Sequence, residues 1–243
     1  MQMKGFGAGL ALVCTVAAVA GAQMPGAPVL QNAWASPGIV GAIDFAGGAD
    51  GSLFGAAASW TPASGRFEVS GGGGYRNRTG VSGSGVYGLR VAMPLPFGGT
   101  SGSFGFAGFA GIGGGAAGVS HTRVSCAAVP SATGCTAVPA PDSVTVDSTG
   151  STTEVPIGVA IGWRHVIGAT HGISVYATPS YVFFSGTNRS TGLFRAAVGA
   201  DFGITSRIGA TAGIEFGSSR ARGLGGPSGS VYGVGVSYAF GAR

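Results

Sequence analysis

The sequence predicts a single-domain, all-β fold: a transmembrane, antiparallel, up-and-down β-barrel of ten strands, with eight as the alternative count. Three observations carry that expectation. The first is that hydrophobicity is dispersed. Of the 243 residues 45% are hydrophobic, yet beyond the N-terminus no run reaches the roughly 18 apolar residues a spanning helix needs. The second is a dyad alternation of large apolar with small residues in segment after segment, the period of a β-strand. The third is the placement of charge. Only 9% of residues are charged, against about 25% in an ordinary globular domain, and within the expected strands these charges lie opposite the apolar parity.

The N-terminus is read first, because it is not part of the fold. Residues 1–22 have the form of a secretory signal peptide: Lys4 as the positive n-region, Phe6 to Ala20 as the apolar core, and Ala20-Gly21-Ala22 as the cleavage site before Gln23. Removing them leaves twelve Arg against eight acids, a net charge of +4. Residues 23–37, with Pro25, Pro28 and Pro37, read as an irregular periplasmic leader, and 38–243 as the barrel. Fifty glycines oppose long helices, since each interior Gly costs about 1 kcal/mol against Ala.

Ten strands are expected, at about 38–47, 52–61, 65–75, 84–95, 102–114, 153–164, 171–184, 192–204, 206–217 and 229–240. The last shows the pattern most plainly. Tyr232, Val234, Val236, Tyr238 and Phe240 share one parity, and Val231, Gly233, Gly235, Ser237 and Ala239 share the other. A water-facing surface would carry more charge than that second face does. Hydrocarbon on the apolar face and a lumen on the small one explain both. On this parity Asp44, Arg66, Glu68, Arg90, Glu154, Arg164, Arg195, Asp201, Arg207 and Glu215 point inward as a balanced charge network. Paired, they would plug a narrow barrel; inward glycines would leave room for a thin aqueous path. Trp60, Tyr75, Trp163, Tyr181, Phe183 and Phe240 lie at or near strand ends, where interfacial aromatics belong.

Connector lengths set the orientation. With the N-terminus in the periplasm, "TPASG", "PFGGTS", "RHVIGATHG" and "ITS" are short periplasmic turns. "RNRTGVSGSG", a long loop at about 116–152, "SGTNRST" and "SSRARGLGGPSG" face outward, and only the first outer connector, "GGADG", is short. The long loop holds Cys126 and Cys135. In an exported chain these two most simply form one disulfide, closing a loop of about ten residues and contributing about 2–3 kcal/mol locally.

The chain resembles the small outer-membrane β-barrels of Gram-negative bacteria, the family that includes opacity-type surface antigens, over about residues 37–240. Gly235-x-x-Tyr238-x-Phe240 is similar to that family's C-terminal assembly signal, although here Gly241-Ala242-Arg243 follows the final aromatic. The resemblance implies an outer-membrane location and two partners, the barrel-assembly machinery and outer-membrane lipid with its lipopolysaccharide. It also implies a structural or adhesion-like role carried by extracellular loops, with a host or cell-surface ligand as the partner class. A narrow porin-like channel for small solutes is the alternative. An outer-membrane enzyme or a soluble exported β-protein is the weaker one. Arg76, Arg78, Arg123, Arg189, Arg220 and Arg222 would give the outer loops a basic rim suited to lipopolysaccharide phosphates.

Little points to catalysis. His121 falls in the long loop with Asp142 and Asp147, but loops preorganise sites poorly, and His165 and His171 flank one turn with no acid nearby in sequence; no G-x-S-x-G occurs. "GIGGGAAG" contains G-x-G-x-x-G, but a Cys-containing loop follows it rather than a helix. "NRT" at Asn77 and "NRS" at Asn188 read as solvated turns. The expectation is therefore a non-enzyme with no cofactor, no metal and no nucleic-acid partner.

Overall fold

The computed structural model describes residues 37–48, 51–78, 81–95, 104–116, 151–167, 171–186, 190–217 and 230–240. They form ten strands: β1 (Gly38–Gly48), β2 (Gly51–Thr61), β3 (Glu68–Arg78), β4 (Val81–Pro94), β5 (Phe104–Ala116), β6 (Ser151–Ile167), β7 (His171–Ser185), β8 (Ser190–Gly203), β9 (Ile208–Gly217) and β10 (Ser230–Phe240). Each pairs antiparallel with its sequence neighbours, and β10 returns to β1 to close the barrel. The closing seam runs in unbroken register from Ile39 opposite Phe240 to Gly48 opposite Val231. Closure matters because an open sheet edge would expose unpaired amide groups, each costing several kcal/mol in hydrocarbon.

The ten-strand expectation holds, with boundaries shifted where the ladder runs further than the sequence suggested. β3 begins at Glu68 and continues to Arg78, and β4 begins at Val81. The connector read as "RNRTGVSGSG" therefore shrinks to residues 79 and 80, across a register shift between Arg76 and Arg78. Arg66 and Arg207 drop out of the strands. Arg66 sits exposed after a turn closed by the Gly65 amide donating to the Pro62 carbonyl at 2.9 Å. Gly65 has φ +63° there, a left-handed conformation that an L side chain disfavours. Arg207 sits exposed in the 204–207 turn, where Thr205 Oγ1 accepts from the amides of Arg207 (3.1 Å) and Ile208 (2.9 Å). The expected Cys126–Cys135 disulfide and signal peptide, and most of the expected leader and long loop, lie outside the described residues.

Besides Pro94 at the end of β4, two prolines stand in strand interiors, where a missing amide donor interrupts the ladder. β5 and β6 pair Ala110 with Ile157 and resume at Gly113 with Glu154, skipping the positions beside Pro156. β6 and β7 pair Gly158 with Ser180 and resume at Ile161 with Ala177, skipping those beside Pro179.

The two faces of the wall differ as the dyad pattern requires. Outside, Ile43, Phe45, Phe54, Leu89, Phe194, Tyr232, Val234 and Phe240 are exposed, Tyr232 by 61%. Phe45 lies opposite Phe54 and Phe54 opposite Tyr75, an aromatic row near the end away from the termini. At the terminal end Trp60 and Phe240 flank Ile39, and Phe104 lies opposite Trp163. Inside, the charges and small residues are buried. Large inward side chains cluster on β4, β5, β7 and β8: Arg90, Phe109, Tyr176, Val182, Phe184, Leu193 and Arg195. Gly199 on β8, directly opposite Tyr176, has no side chain because the Tyr176 ring occupies the space a Cβ would fill.

Candidate functional site

The lumen is where charge, burial and packing coincide. The inward parity of each strand delivers its polar groups to one enclosed volume, and the β-period alone decides which residues arrive there. Asp44, Glu68, Arg90, Glu154, Arg195, Asp201 and Glu215 all arrive and are buried, and Arg164 arrives half-buried at the terminal end of β6. Arg66 and Arg207 do not, for the reasons given above. Arg207 turns outward and Nη1 donates to the Tyr238 hydroxyl at 3.4 Å.

Three groupings result. The first is built on Arg195 of β8, 4% exposed. Its Nη1 lies 3.2 Å from Glu154 Oε2 of β6, and its Nη2 contacts Glu215 Oε1 of β9. One guanidinium thus ties together two carboxylates from strands on either side of it. The planar fork suits this, since it presents donors in more than one direction at fixed geometry. The second grouping is built on Arg90 of β4, 1% exposed. Its guanidinium carbon lies 4.4 Å from the Phe109 ring centroid, and Glu68 is its charge partner. A desolvated contact of this kind is worth about 2 kcal/mol. The third lies nearer the terminal end. Ser174 Oγ donates to Asp201 Oδ2 at 3.2 Å, and Arg164 stands opposite Ser174 on the neighbouring strand.

Asp44 belongs to none of these. It occupies the middle of the closing seam, opposite Gly235 on β10 and Gly55 on β2. The residues of the expected assembly signal, Gly235, Tyr238 and Phe240, all lie on β10; Gly235 points inward, while Tyr238 and Phe240 point outward with rings 5.0 Å apart.

Sequence reasoning missed Arg76, Phe109 and Tyr176. Arg76 lies in a segment with the composition of a loop, yet β3 continues through it and buries it on the parity of Glu68 and Ser70. Phe109 sits in a strand with phenylalanines on both parities. Tyr176 sits in β7, which is apolar on both faces and carries no charge to break the tie. Of the histidines, His165 stacks on Trp163 at 5.9 Å and His171 is exposed at the start of β7, while His121 lies outside the described residues. Among the described residues no group of three or more His, Cys, Asp or Glu is placed to hold a metal.

A closed barrel with an apolar outside and a charged, buried inside defines a class: a β-barrel made for a lipid bilayer. No family model and no curated protein matches the chain. Solved structures similar to it include the β domain of the Bordetella autotransporter Brka, at 16% identity and a TM-score of 0.45, covering 84% of this chain and all of that one. Another is the N-terminal β-barrel domain of Pseudomonas aeruginosa OprF, at 11% identity and TM-score 0.38, covering 84% of this chain and 98% of that one. The KdgM porin is similar at 12% identity and TM-score 0.36, covering 82% of this chain and 99% of that one.

Proposed function

We propose that this chain is an outer-membrane β-barrel whose lumen is sealed, and that it serves as a membrane-embedded scaffold presenting its outer loops at the cell surface. In this reading residues 1–22 direct export and are removed, both termini face the periplasm, and the long 117–150 connector faces outward. Outer-membrane lipid and lipopolysaccharide surround it, and the β10 signal engages the barrel-assembly machinery. The loops carry a structural or adhesion-like interaction with a host or cell-surface ligand, and the chain performs no catalysis. One observation supports the sealed state: Arg195 and its carboxylate partner Glu154 have side chains only 5% and 4% exposed, as an ion-paired plug across the middle of the barrel requires.

A narrow channel is the second reading. Gly233, Gly235, Ala42 and Ala46 leave the inner wall at the β10–β1 seam nearly bare, which favours it. Planar-bilayer recording of the refolded protein separates the two. The sealed reading expects no steady conductance at neutral pH; a reproducible unitary conductance would replace it with the channel.

A further inference from the structure

The strongest unexplained group in the molecule is Asp44. Its side chain is buried, 2% exposed, and neither carboxylate oxygen has a hydrogen-bond partner among the described residues. Its inward neighbours along β1 are Ala42 and Ala46, which pack with Leu53, Ala57, Val86 and Val231. An isolated carboxylate in such surroundings is strongly disfavoured unless something compensates it. The nearby arginines are committed elsewhere. Arg195 holds Glu154 and Glu215, Arg90 faces Glu68 over Phe109, and Arg76 has contacts of its own.

The charge count on the inner face points the same way. Among the described residues five acids line it, Asp44, Glu68, Glu154, Asp201 and Glu215, against buried Arg76, Arg90 and Arg195 and half-buried Arg164. Among the described side chains the inner face is one positive charge short, and Asp44 is the carboxylate without a partner there.

A third oxygen converges on the same place. Thr211 of β9 is buried, and its hydroxyl also lacks a hydrogen-bond partner among the described residues. Thr211 and Asp44 both stand opposite Gly235, one on each side. A Cβ placed on Gly235 would lie 3.0 Å from Thr211 Cγ2 and 3.5 Å from Asp44 Cβ, so the two side chains flank the open space above the glycine, Thr211 with its methyl nearest to it. Asp201 extends the row, standing opposite Thr211. Asp44 and Thr211 make no hydrogen bond to each other. A cation between the carboxylate and the hydroxyl satisfies both. A lone carboxylate with a hydroxyl is an all-oxygen donor set, which suits hard cations, and one missing charge calls for a monovalent one.

We propose that Asp44 and Thr211, flanking Gly235, bind one small monovalent cation inside the barrel, at the centre of the seam that closes it. The cation supplies the missing lumen charge and staples β1 to β9 across β10.

The test is urea unfolding of the full refolded protein in micelles, followed by tryptophan fluorescence. It is run in NaCl, in KCl and in N-methylglucamine chloride at equal ionic strength, so that screening is constant. Wild type should be stabilised by Na⁺ or K⁺ with a saturable dose dependence. At ten times the Kd the unfolding constant should fall about tenfold relative to the bulky cation. Asp44→Asn should lose this dependence and, in N-methylglucamine chloride, equal or exceed wild type. Thr211→Val should weaken the dependence. Asp44→Ser serves in place of Asp44→Asn if that variant does not refold. Coincident wild-type midpoints in all three salts would overturn the site, as would an Asp44→Asn protein that keeps the cation dependence. A protonated-acid carbonyl infrared band in Na⁺ at neutral pH, absent from Asp44→Asn, would also overturn it by naming a proton as occupant. None of these outcomes depends on whether the lumen conducts.

Discussion

Replacing Arg195 by Ala tests the account of the lumen most severely. The substitution removes the guanidinium that ties Glu154 to Glu215 and leaves two buried carboxylates facing each other across the gap. At 3.2 Å and an effective dielectric constant of about 20, the Arg195–Glu154 attraction alone is about 5 kcal/mol before desolvation is subtracted. Removing one partner of a buried pair typically costs about 3–5 kcal/mol, mostly because the other charge is stranded. With two carboxylates stranded, Arg195→Ala should lie at the upper end of that range. Two assays read it: the urea midpoint in micelles, and conductance in a planar bilayer, where water entering to solvate Glu154 and Glu215 should produce cation-preferring openings absent from wild type. A triple change, Arg195→Met with Glu154→Gln and Glu215→Gln, removes the charges together and should recover most of the lost stability. If Arg195→Ala unfolds within about 0.5 kcal/mol of wild type and stays silent in the bilayer, Arg195 is not the plug and the ion-pair argument fails.

Four further outcomes follow from the same geometry. Val234→Arg, on the outward face of β10, should cost about 2–4 kcal/mol in lipid, and Phe240→Arg at the strand's end markedly less, both read by urea titration in vesicles. Gly199→Ala should destabilise by about 1–3 kcal/mol, because its Cβ meets the Tyr176 ring and the Ala212 carbonyl; adding Tyr176→Ala should relieve the ring's share but not the carbonyl's in a double-mutant cycle. Phe109→Leu should loosen Arg90 at a cost of about 2 kcal/mol, with Arg90→Ala and the double variant measuring the coupling. Unboiled protein should migrate differently from boiled protein in SDS gels, because the closed ladder has no free edge from which to unravel.

Much of this was legible because a strand has only one bit of orientation per residue. The tandem of Tyr232, Val234, Val236, Tyr238 and Phe240 against Gly233, Gly235 and Ser237 settles the facing of β10 without any structure. Charge parity did the same for Asp44, Glu68, Arg90, Glu154, Arg195, Asp201 and Glu215. It failed at strand ends, where parity continues on paper but the chain does not. Arg66 and Arg207 share the inward parity, yet both stand in turns whose hydrogen bonds take the backbone out of the sheet. Arg76 failed in the opposite direction. "YRNR" reads as a polar loop, and only pairing with Leu53 and Ser84 draws Arg76 into the lumen. Where both parities are apolar, as around Phe109 and Tyr176, one-dimensional periodicity carries no sign, and the choice is made by neighbours such as Gly199 that have room for a ring. Which arginine meets which acid was not legible either, because barrel stagger brings Arg195 to Glu154 across an intervening strand.

The central claim is that the apolar parity meets lipid and the small parity meets a closed interior. It is tested most directly by single spin labels at each position from Val231 to Phe240, in lipid vesicles, with collision rates measured against oxygen and against a water-soluble nickel complex. The account predicts that oxygen reaches labels at 232, 234, 236, 238 and 240, while labels at 233, 235, 237 and 239 are shielded from both reagents. If the nickel complex reaches 234 and 236 freely, that face meets water, and the barrel has been read inside out.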